Sequence, residues 1–434
     1  MEKKPLQTTV FMREHGKGLV KKWRACVGAG TASHGLRAEW QRQFEVTVAQ
    51  CGFEHARLSD WGKPDMKDAR ETDALCDFLC DHNIAPIVRL SAGDSVDLNG
   101  FARHAISRYG AKRVHNWKFE TPHTKGFEQK AKLLKTVDSS LSVGVVVPIP
   151  ARGLRSRESG KPPRQNCGFV GDPGEREAFF PIAHAADSGL KGLMQSPCVA
   201  GLKSAAANKD VDFAVLSGSV DSVEDKTYTR VMEALAKLQG LPLHLDGIDA
   251  AHKQEDALTD AVALTKRHLG LDSTDGKMSP LQSLSLVSFS GICRQGAYLV
   301  DDFGVRQPSG HAFRMMDLLY DNELDRGKGY IVTKNERGKV CAMAWSDSAN
   351  PDSLEITGLA PYEKLMLETL DAEHGFAYMT WRQMGCPASP TRYQAQALRQ
   401  AALATDVKFC RADSRGVFSL PLPKGEPTIM LLKA

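Results

Sequence analysis

This sequence predicts an α/β fold: a (β/α)8 TIM barrel followed by a C-terminal β-sandwich domain. Eight short apolar runs recur up to residue 296, and most are followed by an amphipathic helical pattern, the alternation that builds a parallel barrel. One run, Leu141 to Val147, is nearly all apolar, as a strand covered on both faces should be. From residue 297 the helical spacing gives way to short strand patterns separated by turn residues. A chain of 434 residues can bury one large core and a smaller second one.

The barrel units follow in order. Trp23 to Gly28 reads as the first strand and Leu36 to Cys51 as its helix. Glu54 to Ser59 is the second strand, with Glu71 to His82 helical after it. Ile84 to Leu90 is the third, followed by a helix over Leu98 to Tyr109. Val114 to Glu120 is the fourth and precedes the helix Phe127 to Thr136; Leu141 to Val147 is the fifth. Val211 to Leu216, Leu241 to Leu245 and Leu284 to Phe289 complete the set, separated by helices over Lys226 to Leu238 and Asp256 to Leu269. Pro148 to Pro173 breaks the rhythm with repeated prolines and with Arg152, Arg155, Arg157 and Arg164. A long loop after a barrel strand lies on the functional face. It reads as a basic lid or partner-binding arm, or as a solvated insertion, which is the commoner case.

In the second domain, Tyr330 to Thr333, Val340 to Trp345, Leu354 to Ile356, Ser419 to Pro423 and Ile429 to Leu432 are strand patterns, with a turn at Asn335 to Gly338. The division expected is a barrel over 14–296 and a sandwich over 297–434. The N-terminal segment 1–13, with its Thr8 to Met12 run, is expected to add a strand to the sandwich.

Bulk properties exclude several classes. Hydrophobic residues make up 42% and charged residues 25%, ordinary globular values. A net charge of +4 gives no argument for nucleic acid, which usually shows a clustered basic face. No stretch approaches the ~18 apolar residues of a membrane span. The first ten residues lack the apolar core of a secretory signal. The ten cysteines are scattered, and Cys76 and Cys80 lack a second pair at zinc spacing. A cytoplasmic protein with free buried thiols and no cofactor or metal is therefore expected. Oligomeric state stays open.

Several segments carry a resemblance. Trp117-Lys118-Phe119-Glu120 follows Arg108-Tyr109-Gly110-Ala111. Cys26-Val27-Gly28-Ala29-Gly30 precedes Gly35-Leu36-Arg37-Ala38-Glu39-Trp40. Further along stand Gly52 to Leu58, Val137-Asp138 and Leu141 to Gly144, then Pro308 to Arg314. Near the end come Asp371, Glu373 to Tyr378, Trp381, Met384-Gly385, Pro387 and Pro390-Thr391. In that order they resemble glycoside hydrolase family 39, the β-xylosidase and α-L-iduronidase family, over nearly the whole chain. The resemblance implies a barrel with a sandwich, a saccharide or glycoside ligand, and catalytic glutamates at the ends of the fourth and seventh strands.

The departures fall at those strand ends. A retaining glycosidase needs two carboxyl groups ~5–5.5 Å apart, one as acid/base and one as nucleophile. Where the family reads Trp-x-Phe-Glu-x-Trp-Asn-Glu-Pro, this chain continues Glu120-Thr121-Pro122-His123-Thr124, so Glu120 matches the structural Glu and the acid/base position is lost. Where the family reads Pro-x-x-x-Thr-Glu-Trp, this chain has Pro242-Leu243-His244-Leu245-Asp246-Gly247-Ile248-Asp249, with Asp246 on the Thr and Gly247 on the nucleophile. The second strand ends Leu58-Ser59-Asp60-Trp61 where the family has a sugar-binding His. The sixth reads Ser217-Gly218-Ser219 in the family's His-x-Tyr region.

The candidate catalytic residues are thus Glu120, Asp246 and Asp249, and the candidate ligand-binding residues Arg57, Trp61, His123 and His244. Glu120 could face the barrel interior, below the family's catalytic Glu, and Arg57 could pair with it structurally. Trp61 suits a sugar platform or a wall of the barrel mouth equally well. His123 and His244 suit acid/base roles near neutral pH, although a buried, bonded His is commoner. A metal at His244, Asp246 and Asp249 is disfavoured, because alternation sends the two aspartates to opposite faces. Three readings follow. The first is a family-39-like protein that binds a saccharide or sugar-bearing ligand without ordinary retaining hydrolysis. The second is an enzyme of altered mechanism using Glu120 with Asp246 or Asp249. The third is a non-enzymatic scaffold.

Overall fold

A computed structural model describes residues 7–61, 69–90, 97–124, 126–148, 197–218, 240–247, 254–270, 281–285, 288–290 and 298–434. The Pro148–Pro173 segment beyond Pro148, Asp249 and the expected helix over Lys226 to Leu238 lie outside the described residues.

Two N-terminal strands, β1 (Gln7–Phe11) and β2 (Lys17–Gly18), precede the barrel. The barrel strands are β3 (Val27–Thr31), β4 (His55–Ser59), β5 (Ala85–Arg89), β6 (Lys118–Pro122), β7 (Ser142–Pro148), β8 (Phe213–Gly218), β9 (Leu243–Gly247) and β10 with β11 (Leu281–Ser285 and Ser288–Ser290). All run parallel in chain order. β10 pairs with β9, and β11 pairs with β3 through Ser288 and Gly28, so the eighth strand closes the barrel in two halves. β12 (Tyr298–Val300) extends the sheet beside β11. The first strand starts later than the sequence predicts: Lys22–Arg24 is a 3-10 turn whose buried Trp23 packs into the main core.

The helices cover the barrel's outer face. They are α1 (Ala32–Gly35), α2 (Ala38–Cys51), α3 (Ala69–Asp81), α4 (Leu98–Tyr109), α5 (Ala111–Val114), α6 (Phe127–Val137), α7 (Pro197–Ala207), α8 (Ala257–Gly270) and α9 (Pro308–Asp317). Their apolar stripes meet the outward residues of each strand, such as Ala56, Leu58, Phe119, Val143, Val145 and Leu216, all fully buried. In α2, Trp40 stacks on Phe44 at 4.6 Å and donates its indole N–H to Ala29 O of β3 at 3.1 Å, which fixes helix to strand. Gly52 ends α2 at φ 64°, the left-handed cap that favours glycine.

The C-terminal region is a two-sheet sandwich. Its strands are β13 (Asn322–Arg326), β14 (Tyr330–Lys334), β15 (Val340–Trp345), β16 (Ser353–Thr357), β17 (Lys364–Leu370), β18 (Asp406–Arg411), β19 (Val417–Pro421) and β20 (Ile429–Lys433). The larger sheet runs β18-β17-β20-β15-β14-β13-β2, and the smaller runs β1-β16-β19, with β1 parallel to β16. Alternation splits the larger sheet between two cores. Ile331, Met343, Trp345 and Leu431 join the barrel-side core, whereas Val332, Ala342, Ala344 and Leu432 pack with Val10, Ile356 and Leu420 inside the sandwich. Two helices, α10 (Tyr378–Gln383) and α11 (Arg392–Leu403), complete the domain, and a Thr391–Gln394 capping box starts the second.

Candidate functional site

Four charged side chains from four barrel strands meet inside the barrel. Arg57 of β4 donates from Nε to both oxygens of Glu120 of β6 at 3.1 Å and from Nη2 to Oε1 at 3.0 Å. Its Nη1 reaches Asp246 Oδ1 of β9 at 3.0 Å. Arg89, the last residue of β5, donates from Nε to Glu120 Oε2 at 2.7 Å and from Nη1 to Asp246 Oδ2 at 2.5 Å. Ser217 of β8 donates its hydroxyl to Asp246 Oδ2 at 3.2 Å. β4 and β9 are not neighbours in the sheet, so Arg57 and Asp246 can meet only across the interior. Strand register sets this up: Arg89 is level with Glu120, and Ser217 with Asp246.

The cluster is nearly sealed. Glu120 is fully buried, and Arg57 and Asp246 almost so. Burial alone would push Glu120 and Asp246 up, but the Arg57 and Arg89 guanidiniums outweigh it and hold both carboxyls below their ordinary range. Both arginines are correspondingly held above theirs, against desolvation, chiefly by Asp246. The four charges cancel in sign, which is the arrangement that lets charged groups stay buried. One donor is left over: Arg89 Nη2 is buried with no hydrogen-bond partner among the described residues.

One pleat deeper on the same faces lie Lys118 and His244, two residues before Glu120 and Asp246. His244 packs edge-on against Phe213 at 4.9 Å, and the Lys118 ammonium lies 5.8 Å from the same ring. Gly144 makes room there, since a Cβ on it would meet the Phe213 ring at 2.1 Å. Burial, then Lys118, Arg57 and His55, push His244 far below its ordinary range, so it is neutral near pH 7. This layer fills the barrel with side chains.

Of the residues singled out from sequence, Arg57, Glu120 and Asp246 converge, and His244 sits beneath them. Arg57 and Glu120 pair directly, as anticipated. Trp61 and His123 lie apart. The Trp61 indole is 1% exposed, donates to Leu58 O at 2.9 Å and meets Phe101 edge-on at 5.8 Å. His123 rests on Phe127 and against α7 at Gly201, and burial lowers its pKa. Arg89 went unremarked, although a charge inside the apolar run Ile84 to Leu90 was a signal that a buried counter-charge must exist. Asp60 turns the chain out of β4 at φ 60°, a conformation that Asp tolerates better than most residues.

Comparisons with known proteins agree with this architecture. No protein-family profile matches the chain. A β-xylosidase of Geobacillus stearothermophilus is 22% identical over an alignment of 491 residues that covers 94% of this chain and 92% of the relative. A β-xylosidase of Caldicellulosiruptor saccharolyticus is 28% identical over 178 residues, 29% of this chain and 36% of the relative. Among solved structures, a family-39 enzyme from Xanthomonas axonopodis pv. citri superposes with a TM-score of 0.73 at 14% identity, covering 100% of this chain and 98% of its own. A family-39 β-xylosidase from Caulobacter crescentus gives 0.72 at 17% identity, covering 98% and 99%. The resemblance to glycoside hydrolase family 39 drawn from the motifs thus holds across the whole chain, in sequence to a β-xylosidase and in fold to enzymes of that family.

Proposed function

We propose that this protein binds a saccharide or sugar-bearing ligand at the barrel mouth and does not carry out ordinary retaining hydrolysis. The observation that carries this reading is the double clasp of Glu120 and Asp246 by Arg57 and Arg89. A catalytic acid must hold a proton near neutral pH, which needs a raised pKa. Both carboxyls are lowered instead. A nucleophile must present a lone pair to the anomeric carbon, but Glu120 commits both oxygens to guanidiniums and is sealed from solvent. Use of Glu120 with Asp246 as an altered acid/base pair would require one of the two to rise, and the arginines oppose that.

Support for a ligand comes from Arg89. It ends β5 at the C-terminal side of the barrel, where barrel proteins place their sites, and its Nη2 donor is unsatisfied. Nη2 itself is buried, but 15% of the Arg89 side chain is exposed, so a small shift of the guanidinium would present it to a saccharide hydroxyl. The relatives named β-xylosidases make xylosides the first ligands to test.

The test is calorimetric titration of the purified chain with xylobiose and related saccharides, beside an assay of aryl β-xyloside hydrolysis. Saturable binding without turnover is expected. Arg89→Lys, which keeps the charge and removes Nη2, is expected to weaken binding. Robust turnover would defeat the reading. Absence of saturable binding across the saccharides would favour a scaffold.

A further inference from the structure

A second site stands on the outer wall of the molecule. A cleft of about 390 Å³ lies between α2, the turn that follows β12, the start of α9 and the end of α11. It shares no residue with the charge cluster inside the barrel.

The turn that forms its wall is tightly bonded. Gly304 N donates to Asp301 O at 3.0 Å, Asp301 N to Val305 O at 3.0 Å, and Gln307 N to Leu299 O at 2.9 Å. The Asp301 carboxylate accepts from the backbone of Phe303 at 2.9 Å and of Val305 at 2.8 Å. Gly304 takes φ +75°, where a side chain would be strained. Over it two donors converge: Arg399 Nη1 and Gln43 Nε2 stand 3.6 and 3.8 Å from the point a Cβ would occupy. The carbonyl of Phe303 holds Arg399 Nη1 in place at 2.8 Å.

Charge in the cleft is unbalanced. Arg42, Arg306 and Arg399 line it against Glu39, with the Asp301 carboxylate of the turn near Arg399. Arg306 is half-buried, and no acid lies within ion-pair distance of it among the described residues. Glu368, which would offset its charge, is already engaged by Arg314 Nη2 at 2.5 Å and by the Thr405 hydroxyl at 2.7 Å. Burial and the neighbouring Arg314 push Arg306 below the ordinary arginine range. A desolvated cation without a carboxylate paired to it is costly and gains from any anion that reaches it. The remaining wall is apolar at Leu299, Phe303 and Val46. Gln50 Oε1 is a buried acceptor without a donor among the described residues.

We propose that this cleft binds a small organic anion: a carboxylate or phosphate head held by Arg306 and Arg399, a hydroxyl donating to Gln50, and a short apolar body against Leu299 and Phe303. The two head groups share one chemistry, acceptor oxygens on a compact anion, which guanidiniums recognise in forked geometry. The proposal stands apart from saccharide binding in the barrel and does not need it.

The experiment is titration calorimetry on the full chain. The probes are 4-hydroxyphenyl phosphate and 4-hydroxybenzoate, with inorganic phosphate as the head alone and 4-hydroxybenzyl alcohol as the uncharged body. One of the two aromatic anions is expected to bind saturably, one per chain, and the uncharged alcohol is not. Binding of the phosphate ester alone assigns a phosphate ligand, and binding of the benzoate alone a carboxylate; both results support the site. Arg306→Met should weaken binding about tenfold or more while leaving the melting temperature unchanged or higher, because it removes an unpaired cation. Val46→Trp, at an exposed position on α2, should block the cleft with every arginine intact. No saturable binding of any anion, or binding unaffected by both variants, would overturn the proposal.

Discussion

Two groups of arginines in this molecule face opposite circumstances. Inside the barrel, Arg57 and Arg89 are surrounded by Glu120 and Asp246, and nearly every donor and acceptor is used. On the outer wall, Arg306 is half-buried with no acid in reach among the described residues, beside an open cleft. The contrast teaches where chemistry can still happen. A charge cluster that satisfies nearly all of its own groups offers a ligand little beyond Arg89 Nη2, and the arginines hold its carboxyls below their ordinary range. An unsatisfied charge beside an empty volume invites a ligand.

The strongest way to break that comparison is to unpair the interior. Arg57→Met leaves Glu120 fully buried and takes one of two guanidiniums from Asp246, at an expected cost of roughly 3–5 kcal/mol. Urea unfolding of the variant checks it, and an unchanged midpoint would show that the cluster relaxes or hydrates freely. Replacing all four members by apolar residues of similar volume should cost far less than any single replacement, because no charge is then stranded.

An intermediate effect is expected from pH. Burial pushes His55 down to about 4 and His268 and His311 to about 3. His311 Nε2 bonds Ala402 O at 2.7 Å at the seat of α11, and His268 lies edge-on to Phe313 at 5.0 Å. In the unfolded chain each titrates near ~6.5. A base whose pKa is depressed by folding binds fewer protons folded than unfolded, so stability is complete above ~6.5 and declines as pH falls from there. Glu120 and Asp246 are acids lowered by folding; their contribution is complete above ~4 and is lost only below it. Unfolding midpoints should therefore decline between about pH 6.5 and 4, before the interior carboxylates titrate. Midpoints flat over that window would contradict the neutral, buried assignment of these histidines.

The smallest effect is expected at the cleft. Arg306→Met should leave stability unchanged or raise it by up to roughly 0.5 kcal/mol, in contrast to Arg57→Met. Similar losses at both positions would erase the distinction drawn between them.

Much of the barrel was legible from sequence because a buried parallel strand leaves a continuous apolar run. β4, β5 and β7 fall within a residue or two of expectation for that reason. The first strand shifted because Trp23, read as strand, belongs to a turn. α7 went unread because Pro197 to Ala207, mostly small residues with one charge, shows little helical periodicity. β17 and β18 were missed because Lys364 to Leu370 and Asp406 to Arg411 mix charge into their alternation. The Arg57–Glu120 pair could be argued from sequence, since two opposite charges on inward positions of nearby strands seek each other. The link to Asp246 could not, because which strands face each other across the barrel depends on closure. Trp61 suited either a sugar platform or a wall; its indole turns back onto the Leu58 carbonyl and packs inward.

The central claim is that Glu120 serves the fold and not a reaction. Glu120→Gln tests it most directly, with unfolding free energy and aryl β-xyloside hydrolysis measured on the same preparations. A loss of roughly 3–5 kcal/mol, with no turnover in either the parent or the variant, is the predicted result, because the amide leaves two buried guanidiniums facing the single carboxylate of Asp246. Unchanged stability together with a hydrolytic activity that the substitution abolishes would contradict it.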